Sequence, residues 1–209
     1  MSMSRKVGVI DYGTGNLKSV VKAFEYLNAD VSIIQDPEEM KGIDALVFPG
    51  QGTFDQCMQS LMKSGLDQAL ISWINQGKPY FGICLGLQVL FETSEEGSLS
   101  GLGLFKGHVR RFTLKATLKI PHMGWNRVSW NLPPGDFLRN NLSDSDQFYF
   151  VHSYYLADVS EDLITFETTY GIPFVSGIFS GKCIATQFHP EKSQAKGLQL
   201  YRNFLEKIV

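Results

Sequence analysis

Residues 78–90 read Lys-Pro-Tyr-Phe-Gly-Ile-Cys-Leu-Gly-Leu-Gln-Val-Leu. An apolar run ends in Gly82-Ile-Cys84-Leu-Gly86, and a helix-like sequence follows. The pattern predicts a strand, a very tight turn and a helix, with one cysteine at the apex. Glycines two residues to either side leave room for the strained turn of a G-x-nucleophile-x-G elbow. A thiol there would lie at a helix N-terminus, where N–H groups and the dipole favour its anion. On this stretch alone, a buried structural cysteine is an equally good reading.

The chain has 209 residues, enough for one sizeable α/β domain over 1–209 and little for two. A net charge of −2 weighs against a nucleic-acid binder built on a basic face. The cysteines, at 57, 84 and 183, are odd in number and widely spaced. They suit neither a disulfide framework nor a C-x-x-C metal pair, and a reducing compartment fits them. The apolar run near the N-terminus is too short for a signal peptide or a membrane span. These observations predict a cytoplasmic protein without metal or cofactor.

Residues 6–10 form a β-branched run suited to a buried parallel strand. Asp11-Tyr-Gly-Thr-Gly-Asn16 follows. It lacks the third glycine of a dinucleotide loop and the Gly-Lys of a P-loop. Asn16 is a candidate N-cap for a helix presenting Leu17, Val20, Val21, Phe24 and Leu27 on one face. Strands are expected at 31–34, 45–48 and 80–83. Helices carry Phe54, Met58, Leu61 and Met62, then Leu66, Ala69, Leu70, Trp73 and Ile74. Alternating strands and helices, with strands apolar throughout, predict a mostly parallel sheet with helices on both faces. Functional groups then collect at the carboxyl ends of strands, where Asn16, Gly50–Gly52 and Cys84 fall. Beyond about residue 100, strand-like segments at 109–112, 126–130, 147–155, 164–169, 174–179 and 183–188 predict added antiparallel strands. A last helix carries Leu198, Tyr201, Phe204, Leu205 and Ile208.

A nucleophilic cysteine needs a base, and the base an orienting group. Of His108, His122, His152 and His189, only His189 lies in a segment that supplies its own orienter, Gln-Phe-His189-Pro-Glu191. Pro190 pushes His189 into extended backbone. Residues two apart in an extended chain share a side, which sets Glu191 beside the imidazole. The alternative is a strand end with a locally bonded histidine. His152, on an aromatic strand without a nearby acid, reads as structural or substrate-lining. His108 and His122 read as turn-adjacent and exposed. Cys57 and Cys183 read as buried.

Gly-Ile-Cys84-Leu-Gly-Leu-Gln88 together with Gln-Phe-His189-Pro-Glu191-Lys-Ser resembles the signature pair of the class I (triad) glutamine amidotransferases. Val-Ile-Asp-Tyr-Gly-Thr-Gly-Asn16-Leu, Pro121-His-Met-Gly-Trp125-Asn and Tyr149-Phe-Val-His-Ser-Tyr154 are similar to the glutaminase subunits of imidazole glycerol phosphate synthases. The matches run from about residue 8 to 193. The resemblance implies glutamine hydrolysis by a Cys84–His189–Glu191 triad, with ammonia passed to a (βα)₈-barrel cyclase subunit, HisF, in histidine biosynthesis. Oxyanion donors are then Leu85 N–H and the Gly50–Gly52 strand (Gln51, Gly52). Gly50, Gln88, Glu96, Ser153 and Tyr154 contact the substrate. Asn16, Pro121, Met123, Trp125, Tyr149 and Lys192 face the cyclase in a heterodimer. Position 51, usually valine in this family, is glutamine here. The strand peptide beside it is expected to rest with its N–H turned away and to flip when the partner is loaded, because glycine neighbours tolerate both signs of φ. The other readings are a different amidotransferase subunit, a cysteine peptidase of the same fold, and a scaffold with a dead site. Pro121–Asn126 argues against the first two, and the intact triad against the third.

Overall fold

The computed structural model describes residues 4–13, 17–114, 118–133 and 135–209. The Asn16 cap therefore lies outside the described residues. The first half alternates: β1 (Lys6–Ile10), α1 (Lys18–Tyr26), β2 (Asp30–Ile34), β3 (Ala45–Gly50), α2 (Phe54–Ser64), α3 (Leu66–Asn75), β4 (Tyr80–Cys84) and α4 (Leu85–Gln88). The second half runs β5 (Thr93–Ser94), β6 (His108–Arg111), β7 (His122–Arg127), β8 (Ser129–Trp130), β9 (Gln147–His152), β10 (Tyr154–Ala157), β11 (Ile164–Tyr170), β12 (Ile172–Ser180), β13 (Cys183–Thr186) and α5 (Gln194–Lys207).

The main sheet is mixed, in the order β2-β1-β3-β4-β13-β12-β10-β6-β5, with β11 and β8 attached beyond β12. Pairing is parallel from β2 through β13 and antiparallel from β13 to β6. β7 and β9 form a separate antiparallel ribbon. Strand β3 is buried along its whole length, as expected of a parallel strand covered on both faces. Alternation along these strands serves two cores. Val47, Phe81 and Ile83 join Phe24, Tyr201 and Phe204 on one side. Leu46, Phe48 and Tyr80 join Phe54, Leu61 and Trp73 on the other. Each such fully buried large side chain contributes about 1.5–3 kcal/mol. Among the described residues, no helix is long and apolar enough to cross a membrane.

Three expectations need correction. The continuous strand at 147–155 is two strands, β9 and β10, divided at Ser153 as the chain leaves the ribbon for the main sheet. The strand at 126–130 likewise divides at Val128 into β7, in the ribbon, and β8, in the main sheet. The helix after Cys84 has only four residues, and such a short helix carries little macrodipole.

Candidate active site

The register of three strands fixes the surroundings of Cys84. Gly50 on β3 is its partner. On the other side β13 pairs with β4 up to Thr186↔Ile83, so the next residue, Gln187, lies beside Cys84. Cys84 has φ 53° and ψ −102°, a conformation costing on the order of 1–3 kcal/mol for a non-glycine residue. Close packing explains the flanking glycines. A Cβ at Gly82 would overlap the Gly86 carbonyl oxygen, one at Gly86 the Phe48 carbonyl oxygen, and one at Gly50 the backbone of Leu85. The Tyr80 hydroxyl braces the elbow from behind, donating to Gly86 O at 2.7 Å.

His189 is reached by the chain leaving β13. It is extended at φ −105°, ψ 94°, and its N–H donates to Tyr149 O at 2.9 Å. Pro190–Lys192 is a 3₁₀ turn, not the extended continuation expected. The turn still sets Glu191 against the imidazole, with Nδ1 to Oε1 at 2.7 Å and both side chains almost wholly buried. Glu191 Oε2 also accepts from the Tyr201 hydroxyl at 3.4 Å. Nδ1 thus carries a proton toward the carboxylate, and Nε2, buried without a hydrogen-bond partner among the described residues, is the atom left for chemistry. Burial opposes the imidazolium, but the Cys84 sulfur and the Glu191 carboxylate outweigh it and raise the His189 pKa to about 9. Below that value the imidazolium form of His189 is favoured.

Cys84 and His189 open on a cavity of about 420 Å³, with Glu191 behind the imidazole. Gly50, Gln51, Gly52 and Leu85 line one wall, and Gln88, Glu96, Ser153 and Tyr154 also reach it. Glu96 caps α2, accepting from Phe54 N–H at 3.0 Å. Desolvation raises its pKa, the Phe54 bond opposing it. The Gln51 N–H donates to the Tyr12 hydroxyl at 2.7 Å, and that hydroxyl donates to Gln51 O at 2.6 Å.

Of the expected partner-facing residues, Pro121 and Lys192 line the cavity. Met123 and Trp125 stand out from β7, 62% and 45% exposed, which rules out core packing for them. Tyr149 packs edge-on against Trp125 at 6.0 Å between ring centroids. Asn16 lies outside the described residues. His152 lines the cavity as expected. His122 contradicts its expected exposure: it is buried, stacked on Tyr170 at 4.0 Å and Phe150 at 4.8 Å. Its Nδ1 donates to His152 Nε2 at 3.0 Å, because His152 Nδ1 already donates to Tyr154 O at 2.7 Å. Cys57 and Cys183 are buried, as expected, and burial pushes the Cys183 thiol up to about 12. Two neighbours of the site, Tyr12 and Gln187, were not singled out from the sequence. Both lie inside motifs that were, Asp-Tyr-Gly-Thr-Gly and Gln-Phe-His-Pro-Glu.

The family description "Glutamine amidotransferase class-I" matches residues 8–208. The chain is 43% identical to the imidazole glycerol phosphate synthase subunit HisH of Acinetobacter baylyi, over 96% of this chain and 98% of that one. It is 46% identical to the HisH subunit of Chromobacterium violaceum, over 96% and 97%. Among solved structures it resembles PurLQS from Thermotoga maritima, with a TM-score of 0.77 at 15% identity over 99% and 100% of the two chains. A crystal structure of a glutamine amidotransferase gives a TM-score of 0.74 at 21% identity over 96% and 97%. At such identities the structural likeness establishes the mixed α/β fold alone. The family match and the near-full-length relatives establish more: the chain belongs to the class I glutamine amidotransferases, among the HisH subunits of imidazole glycerol phosphate synthase.

Proposed function

We propose that this chain is the glutaminase subunit of an imidazole glycerol phosphate synthase, one cytoplasmic amidotransferase domain over 1–209. It would hydrolyse glutamine to glutamate and ammonia and pass the ammonia to a (βα)₈-barrel cyclase subunit, HisF, in histidine biosynthesis. The observation that carries this reading is the buried His189–Glu191 pair facing a cysteine held at positive φ on the wall of one cavity.

The Cys84 thiolate bonds to the side-chain amide carbon of glutamine, and the carbonyl π pair moves to oxygen. Leu85 N–H, just past the elbow, would donate to that oxyanion. Collapse re-forms the carbonyl and breaks the C–N bond, while the His189 imidazolium gives its proton to the departing nitrogen, releasing ammonia. Neutral His189 then takes a proton from water as the water oxygen bonds to the thioester carbon. The second collapse expels the Cys84 thiolate and yields glutamate. Glu191 holds the tautomer and favours the imidazolium in both halves. Gln88 and Glu96 would hold the amino-acid end of glutamine, with Gly50, Ser153 and Tyr154 lining the substrate pocket.

Gln51 and Gly52 carry the second oxyanion donor. With its N–H on the Tyr12 hydroxyl, the Gln51 peptide is held in a resting state, and release on loading of the cyclase would turn it toward the substrate. Gating of this kind prevents wasteful hydrolysis. The cyclase docks over Asn16, Pro121, Met123, Trp125, Tyr149 and Lys192, where an exposed aromatic–methionine pair suits an interface anchor. Glutamine hydrolysis is to be measured for wild type and Cys84→Ala, each with and without the cyclase. Wild type should turn over chiefly with the loaded partner and Cys84→Ala not at all. Activity surviving in Cys84→Ala overturns the assignment, and full activity without partner overturns the gating.

A further inference from the structure

A cysteine nucleophile at the head of a four-residue helix gains little from a macrodipole, so its anion needs another donor. Gln187 supplies one. Its side-chain Nε2 donates to Cys84 Sγ at 3.3 Å. Its Oε1 accepts from Gln88 Nε2 at 3.0 Å, which fixes the amide with its nitrogen toward the sulfur. Its backbone N–H is tied to Ser176 O at 2.8 Å, and the residue is fully buried. It lies one step beyond the β4–β13 register and does not line the cavity.

We propose that Gln187 is a catalytic residue of this site, donating to the Cys84 sulfur to favour and aim the thiolate, with Gln88 as the positioning residue that orients it. An amide donor gains most from the anionic sulfur, so the bond favours the thiolate over the thiol. It acts again when the thioester collapses and the thiolate leaves. This inference deepens the glutaminase reading and rests on it for its role in turnover, though not for the contact itself.

Alkylation of Cys84 by iodoacetamide, followed by peptide mass spectrometry across pH, tests the contact without glutamine. The other titratable groups on the cavity are His189, with Glu191 behind it, Lys192 on the following turn, Glu96 after β5, and His152 and Tyr154 on β9 and β10. All stay in place in a Gln187→Met variant. That variant should alkylate about tenfold more slowly near neutral pH, the scale of one charge-assisted hydrogen bond. The deficit should narrow as pH rises. In glutamine hydrolysis kcat should fall by a similar factor. If the unpaired Gln88 amide prevents folding, the double variant Gln88→Met/Gln187→Met removes the orphan and should show the same alkylation profile. Independently of both, the Gln187 side-chain amide signal in ¹⁵N–¹H spectra should shift in Cys84→Ala. Wild-type alkylation rates at neutral pH in a folded variant, a deficit equal at every pH, or an unmoved amide signal overturns the proposal. Normal alkylation behaviour in a wild type that hydrolyses no glutamine with its cyclase would instead refute the glutaminase reading.

Discussion

Two histidines line the cavity: His189 sits between a carboxylate and a thiol, whereas His152, with His122 bonded to it, sits among aromatic rings. All three are buried, yet they are pushed in opposite directions. Burial lowers His152 to about 3 and His122 to about 4. Burial opposes His189 too, but Cys84 and Glu191 overcome it and carry the group to about 9. Charge partners, not burial, decide which histidine can move a proton near neutral pH. The neutral pair has the tautomers its bonds require, ending on Tyr154 O. It therefore reads as a brace for the Ser153–Tyr154 wall, whereas His189 keeps an uncommitted nitrogen.

The comparison breaks most sharply if His189 is dispensable. His189→Asn should lower partner-stimulated glutamine hydrolysis by about 10²–10⁴-fold, the range for a lost general acid–base group, with a thermal unfolding control to show that the fold persists. His152→Gln should lower it by less than about tenfold. Equal losses would erase the distinction between the two histidines.

Next in size is the effect of pH. Glutaminase kcat/KM should fall as pH rises through about 9, where His189 loses the proton that the proposed mechanism gives to ammonia. In Glu191→Gln the limb should move to lower pH, because one of the two groups raising His189 is gone. A limb unmoved by that change would separate His189 from its carboxylate.

A third prediction concerns the resting peptide. Tyr12→Phe removes the hydroxyl that engages Gln51 N–H and should raise partner-independent hydrolysis by about tenfold, the scale of one neutral hydrogen bond. No rise would detach Tyr12 from the gate.

Stability against pH carries the smallest effect and the clearest sign. His122 and His152 are held below the ordinary histidine value of 6.5. Their contribution is present above that value and is lost as pH falls through about 4 and then about 3, since the unfolded chain protonates first. His189 is raised, so its contribution is present below 6.5 and is lost as pH rises through about 9. His152→Gln should flatten the acid side of a Tm-against-pH profile and His189→Gln the alkaline side.

Much of the first half could be read in advance, because β1, β3 and β4 are short apolar runs between helical periods. The proposal of Cys84, His189 and Glu191 rests on local signals: two glycines spaced about a cysteine, and a histidine–proline–glutamate run. What stayed hidden was set by pairing at a distance. The contact of Gln187 with Cys84 depends on β13 lying beside β4, 103 residues away in the chain. His122 looked exposed because its cover comes from Phe150 and Tyr170 on other strands. The 147–155 run alternates without a break, and only the exchange of sheets at Ser153 divides it. The helix after Cys84 is short although Leu85–Phe91 is apolar apart from Gln88, because apolarity alone does not set helix length.

The most direct measurement is an acid quench of the wild type during glutamine turnover with its loaded cyclase, followed by peptide mapping. The triad account predicts a glutamyl thioester on the peptide containing Cys84, absent in Cys84→Ala and without glutamine. Steady turnover with that peptide unmodified at every quench time, together with retained hydrolysis in Cys84→Ala, would contradict it.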